Sequence, residues 1–220
     1  LLVVAVLCGL LLEQLRHDHE LVDRLAGALW TWAERREAGA ADALEDGSRF
    51  ADVLAHWLDG VHHRNEEQLL FTALVERAEV PGDRGPLAVL RREHRQMQSL
   101  GGQLDAEDGE VVVTAARRLA RLLWEHVDKE NSVLFPEAEQ RLIRGGVRDL
   151  APLDPPSEDG LRSRRLAEEL VGRYPPGEDP DTVRGEGCVA CSAFTVDCAG
   201  IEGEWWNPWE REYQRSLDEG

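Results

Sequence analysis

The 220-residue chain carries 43 acidic against 25 basic residues, a formal net charge of −18. So acidic a surface argues against nucleic acid and anionic membrane as partners, while the length suffices for one sizeable core and a tail. All basic residues but Lys129 are arginine, and the four cysteines, Cys8, Cys188, Cys191 and Cys198, do not have the spacing of a disulfide-stapled secreted module.

Residues 1–12 are almost wholly apolar but too short to span a bilayer, which needs about 17–25 residues. With no basic start and no small-residue cleavage site, they read as a buried helix start rather than a signal peptide, and the chain as cytoplasmic. A first helix is predicted over residues 10–37, with Leu12, Leu15, His19, Val22, Leu25 and Leu29 on one stripe and His17 turned elsewhere. A connector of mostly small and acidic residues leads to a second helix over 48–79, which Ser48 or Asp46 would cap. The Pro81–Pro86 stretch breaks the chain. A third helix follows over 87–105, with Leu87, Leu90, His94 and Met97 on one face, and a fourth over 110–144. Pro136 falls inside the fourth helix, where it would kink it or begin a new turn.

Four long apolar-striped helices with short connectors predict an all-α fold, an antiparallel four-helix bundle over residues 1–144. A linker and short helix, anchored by Leu166 and Leu170, occupy 145–174, and an irregular acidic tail rich in Cys and Trp occupies 175–220.

Chemistry concentrates in two repeated units. His62 precedes Glu66 by four residues and His126 precedes Glu130 by four, so each pair shares a helix face. Each lies in a leucine stripe: Leu54, Leu58, Leu69 and Leu70 for the first, Leu119, Leu122, Val133 and Leu134 for the second. His63 and Glu67 fall on a more mixed face, at the edge of the interior. An ionised carboxylate buried in such a stripe costs several kcal/mol without compensation. A metal compensates, and imidazole with carboxylate suits iron, manganese or zinc. Local His–Glu hydrogen bonds would satisfy one pair alone; two pairs with His19 and His94 favour a metal.

These residues resemble the hemerythrin-like family, the HHE cation-binding domain. The resemblance covers roughly residues 10–144 and rests on His62-His63-x-x-Glu66-Glu67-x-x-Leu70-Phe71, on Gly85-Pro86-Leu87-Ala88-Val89-Leu90-x-x-Glu93-His94, and on His126-x-x-x-Glu130-x-x-Val133-Leu134-Phe135-Pro136. It implies a non-haem site of two iron ions, oxo- or hydroxo-bridged, held by His19, His62, Glu66, His94, His126 and Glu130, the two glutamates bridging. Two positions depart from the oxygen carriers. Leu90 stands where they have a second third-helix histidine, and Glu130 with Asn131 stands where they use an aspartate one residue later. His63, Glu67 or water would fill the remaining position. A ferritin-like carboxylate bundle would need two Glu-x-x-His units, which the chain lacks.

The resemblance implies a protein that binds or senses a small oxidant: O2, NO or peroxide. Two other functions compete: a di-iron enzyme removing peroxide or NO, and an interaction protein docking through its tail. Cys188, Cys191 and Cys198 in that tail form a possible second metal or redox site one ligand short. The Trp205–Trp209 segment reads as a capped short helix, packing on its own bundle or on a protein partner.

Overall fold

The computed structural model describes residues 2–43, 45–147, 150, 155–182, 184, 185, 212, 215 and 216. Cys188, Cys191, Cys198 and the Trp205–Trp209 segment lie outside the described residues. All regular structure among the described residues is helical, and none of these helices is long and apolar enough to cross a membrane.

Helix α1 spans Leu2–Glu37 and ends with Arg35 and Arg36 in its last turn, where cations oppose the helix dipole. Helix α2 runs without a break from Gly47–Val53 through two π-helical stretches, Leu54–His63 and Glu66–Leu70, into Phe71–Ala78. Helix α3 spans Gly85–Gly101 and opens on Pro86, which fixes a helical φ where no donor is needed. Helix α4 comprises Gly109–Lys129, a π-helical turn over Glu130–Leu134, and Phe135–Arg144. Its N-terminus is capped by the Asp108 carboxylate, which accepts from the Glu110 and Val111 backbone N–H groups at 2.9 and 3.3 Å. Pro136 sits in the first turn after the π stretch, so its missing N–H coincides with a break in the α ladder.

The apolar core is divided into two clusters. One gathers Leu11, Leu12 and Leu15 of α1, Leu70 and Phe71 of α2, Leu87 and Leu90 of α3, and Leu134 and Phe135 of α4. The other gathers Leu21 through Ala33 of α1, Val53 to Leu58 of α2, Met97 and Leu100 of α3, and Val112 to Val127 of α4. The N-terminal parts of α1 and α3 therefore share a cluster with the C-terminal parts of α2 and α4, the up-down-up-down arrangement of an antiparallel bundle. The histidines and glutamates of interest fall at the boundary between the clusters on all four helices.

Helix α5, Glu158–Arg173, belongs to the core. Ala167, Leu170 and Tyr174 are fully buried in the second cluster, while Leu166 is half-buried. It packs on α1 and α2, with the Ser163 hydroxyl donating to Asp52 at 2.6 Å. The chain then crosses back over α1: Thr31 Oγ1 donates to the Pro175 carbonyl at 2.8 Å, and the Gly177 N–H to the Gly27 carbonyl at 3.1 Å. A Cβ at Gly27 would stand 2.7 Å from that of Pro176, so only glycine permits this crossing. Arg184 ties the segment down through Asp23 at 2.6 Å and Asp128 at 2.9 Å.

Asp46 joins α2 to α5. It offers α2 no side-chain capping bond, contrary to expectation, because its carboxylate is turned to the Tyr174 hydroxyl at 2.5 Å, Arg49 at 2.9 Å and Arg173 at 2.9 Å. Burial opposes its charge, but Tyr174, Arg49 and Arg173 outweigh that and hold its pKa below the usual range. A depressed folded-state pKa makes the contribution present above the unfolded value of about 3.9 and lost as pH falls through the folded one. Asp46→Asn is expected to lower stability at pH 7 by about 1–3 kcal/mol, with the difference from wild type shrinking below pH 4. Urea denaturation at pH 7 and pH 3 measures both.

Candidate metal centre

Each helix of the bundle places its polar residues where the two apolar clusters meet. On α1, His19 lies between Leu15 and Val22; on α3, His94 lies between Leu90 and Met97; on α4, His126 and Glu130 lie between Leu123 and Leu134. On α2, the π-helical geometry matters most. In an α-helix successive side chains diverge by roughly 100°, which is why the spacing put His62 inside and His63 at the edge. The widened turn ending at His63 brings both inside, at 1 % and 3 % exposure. The expectation that His63 sits at the edge is corrected on this point. Glu67 does sit at the edge, half-buried. His17 is exposed.

All six residues of the expected set are buried together, and with His63 they form two donor groups. In the first, His19, His62, Glu66 and Glu130 offer atoms within 4.8 Å of one another; in the second, His63, Glu66, His94 and His126 do so. Glu66 belongs to both. Its Oε1 lies 3.6 Å from His19 Nε2 and 3.2 Å from His62 Nε2, while its Oε2 lies 3.4 Å from His94 Nε2. Glu130 Oε2 stands 3.2 Å from His19 Nε2 and 3.2 Å from His126 Nε2, so it too reaches both groups.

The far side of each ring meets an oxygen of another residue. His94 Nδ1 lies 2.7 Å from Glu67, His126 Nδ1 3.0 Å from Glu93, and His19 Nδ1 2.9 Å from Asn131. Nδ1 of His62 faces Asp18 at 3.6 Å, and that of His63 faces Asp59 at 3.7 Å, both beyond hydrogen-bond reach. Lys129 in turn donates to Glu93 at 2.5 Å. Carboxylates on Nδ1 hold the proton there and turn the Nε2 lone pair inward, the usual outer support of a metal-binding imidazole. Asn131, at the position where oxygen carriers use aspartate, anchors His19.

Satisfaction is poor where it would matter. All four carboxylate oxygens of Glu66 and Glu130, His19 Nε2 and both ring nitrogens of His63 are buried without a hydrogen-bond partner. His94 Nε2 and His126 Nε2 face each other at 3.2 Å. With both Nδ1 protons committed to Glu67 and Glu93, two neutral rings would set lone pair against lone pair. Only an extra proton or a cation relieves that contact.

The electrostatics agree. Burial would push His19 down, but Glu130 and Glu66 outweigh it and lift its pKa to about 9. Burial is likewise overridden at His62 by Glu66 and Asp18, to about 9, and at His126 by Glu130 and Glu93, to about 10. His63 moves the other way: burial and neighbouring His94 press it to about 3. Glu66 is held well below the carboxylate range, burial being overcome by His62 and His19. Burial and Glu66 raise Glu130, yet His126 and His19 bring it to about 2. The interior strongly demands positive charge, and the donors available are imidazole nitrogen and carboxylate oxygen, a set suited to a first-row transition metal.

The outer partners Asp18, Asp59 and Glu93 were not singled out as functional by spacing, although Glu93 stands in the third-helix motif beside His94 and Asp59 lies four residues before His63.

Comparison with known proteins agrees with this geometry. The family model for the hemerythrin HHE cation binding domain matches residues 10–138, more than half of the chain. No curated protein and no solved structure matches it. A helical bundle with a buried His/Glu layer, matched over that length, belongs to the hemerythrin HHE cation-binding family.

Proposed function

We propose that the chain holds two iron ions in its central layer and uses them to bind or sense a small oxidant: O2, NO or peroxide. His19, His62, Glu66 and Glu130 would hold one ion. His63, His94, His126 and Glu66 would hold the other, with Glu130 reaching both. The observation that carries this reading is the set of buried carboxylate oxygens without hydrogen-bond partners, each glutamate within reach of both imidazole groups. Leaving such groups unpaired costs several kcal/mol each, and two cations satisfy them together.

When bound, the two irons would supply a redox couple and an open coordination position. The protein's own residues do the rest. Glu67, Glu93 and Asn131 fix three of the rings and their tautomers. Asp18 and Asp59 add negative charge behind His62 and His63, which would favour the more positive, oxidised state of ions held there. Phe135 stacks on His19 at 5.1 Å, and Phe71 lies parallel to His94 at 6.1 Å. With Leu90 and Leu134 they keep one side of the layer dry. His63 would supply the nitrogen that Leu90 does not, so that each donor group combines imidazole with carboxylate.

Purified protein is expected to contain about two irons per chain and to show the charge-transfer absorption of a bridged ferric pair. Protein carrying zinc or no metal when grown with iron would overturn the reading, and peroxide turnover far above that of free iron would mark an enzyme instead of a sensor. Because Glu66 belongs to both groups, Glu66→Ala should lose both ions, whereas His63→Ala should retain roughly one. Elemental analysis of the two variants checks this. Stripping the metal from wild type should cost about 3 kcal/mol or more of stability, since an ion at 100 times its Kd contributes about that much. The corresponding fall in Tm, roughly 6–12 °C for a chain of this size, is read by calorimetry with and without chelator.

A further inference from the structure

Between α2 and α3 lies a cavity of about 380 Å³ that the di-iron reading does not use. Leu54, Leu58 and Met97 give it apolar walls, and Ala55 and Gly102 also line it. Its polar groups are His63, Asp59 and Gln98. The Gln98 amide donates to Asp59 Oδ1 at 2.6 Å, joining the two helices beside the opening. His63 is its link with the interior: the ring is 3 % exposed, and neither nitrogen has a hydrogen-bond partner.

The size far exceeds what a diatomic fills. At about 30 Å³ per water, the space corresponds to roughly a dozen water-sized molecules, and it lies within the range of pockets that hold organic ligands. Apolar walls call for a hydrocarbon body. Asp59 and the chain's net charge of −18 disfavour an anion. The cluster at His63 calls for a head group able to hydrogen-bond.

We infer that this cavity binds a neutral, mostly apolar organic molecule with an oxygen-bearing head, of the alkyl or aryl hydroperoxide and alcohol class, and brings that head to His63. The inference rests on the di-metal reading above only in treating His63 as a wall shared between cavity and metal centre. The cavity then selects organic over inorganic oxidants by burying their hydrocarbon part.

Met97 is the one methionine of these 220 residues and lines the cavity, so the signal of a ¹³C-methyl label reports on the cavity wall. Zinc-loaded protein titrated with 2-phenyl-2-propanol is expected to show a saturable shift of that signal. A Cβ at Gly102 would meet nothing nearer than the Gln98 carbonyl at 3.7 Å, and its φ of −66° suits any residue. Gly102→Phe, and independently Ala55→Phe from the opposite wall, should weaken binding at least tenfold. On cobalt-loaded protein the probe's protons should relax several-fold faster than on zinc-loaded protein. No saturable shift in wild type, or undiminished affinity in both filled variants, overturns the proposal; equal relaxation on the two metals overturns the placement of the head at His63. Metal analysis of the same samples separates the two readings. Two bound ions with an unresponsive Met97 sinks the cavity alone, while a responsive Met97 in protein that takes up no ion sinks the metal centre alone.

Discussion

Two buried glutamates set the terms for the rest of this molecule. Glu66 and Glu130 are fully enclosed, Glu66 facing imidazoles of α1, α2 and α3 and Glu130 those of α1 and α4, and neither finds a hydrogen-bond donor for its carboxylate oxygens. A hydrophobic core cannot close over two such charges on its own. The imidazoles reach them from α1, α2, α3 and α4, so the electrostatic demand at the centre is met only when all four helices are in register. The same layer splits the apolar core in two, and each half must pack independently against its own leucines and aromatics.

Backbone geometry responds to this demand. All three π-helical stretches among the described residues adjoin the polar layer: Leu54–His63, Glu66–Leu70 and Glu130–Leu134. A π turn costs regular hydrogen bonding, but it lets two consecutive histidines, His62 and His63, face inward from one helix. Without it, one donor group would lack a nitrogen. Around the layer, carboxylates on Nδ1 of His94 and His126 keep Nε2 free for the interior. Rigidity farther out comes from α5 and from the segment after it, which bind α1 to α2 and to α4 through Asp46, Asp52, Asp23 and Asp128.

The cavity beside His63 adds an asymmetry. Aromatic rings and leucines cover the layer on the side of Phe71 and Phe135, whereas the face between α2 and α3 leads through apolar walls to a histidine. A centre reached from that side would discriminate among oxidants by their hydrocarbon part, which the donor atoms themselves cannot do.

The helical stripes, the two His-x-x-x-Glu units and the inward set of His19, His94 and the paired residues were all legible in the residues alone. They depend on the α-helical period, and a period is a local property. Leu170 as an anchor of the fifth helix was legible for the same reason. What periodicity could not reach were relations between helices and departures from the period itself. His63 faces inward because a π turn replaces an α turn, and no residue-by-residue preference announces that. Asp46 caps nothing because Tyr174, 128 residues away, competes for its carboxylate. Asp18, Glu93 and Asn131 serve histidines on other helices, so only packing brings them into contact. Sequence determined the buried stripe of each helix, His63 excepted; tertiary structure decided which of those side chains meet, since distances across a bundle are set by how helices pack and not by spacing along any one of them.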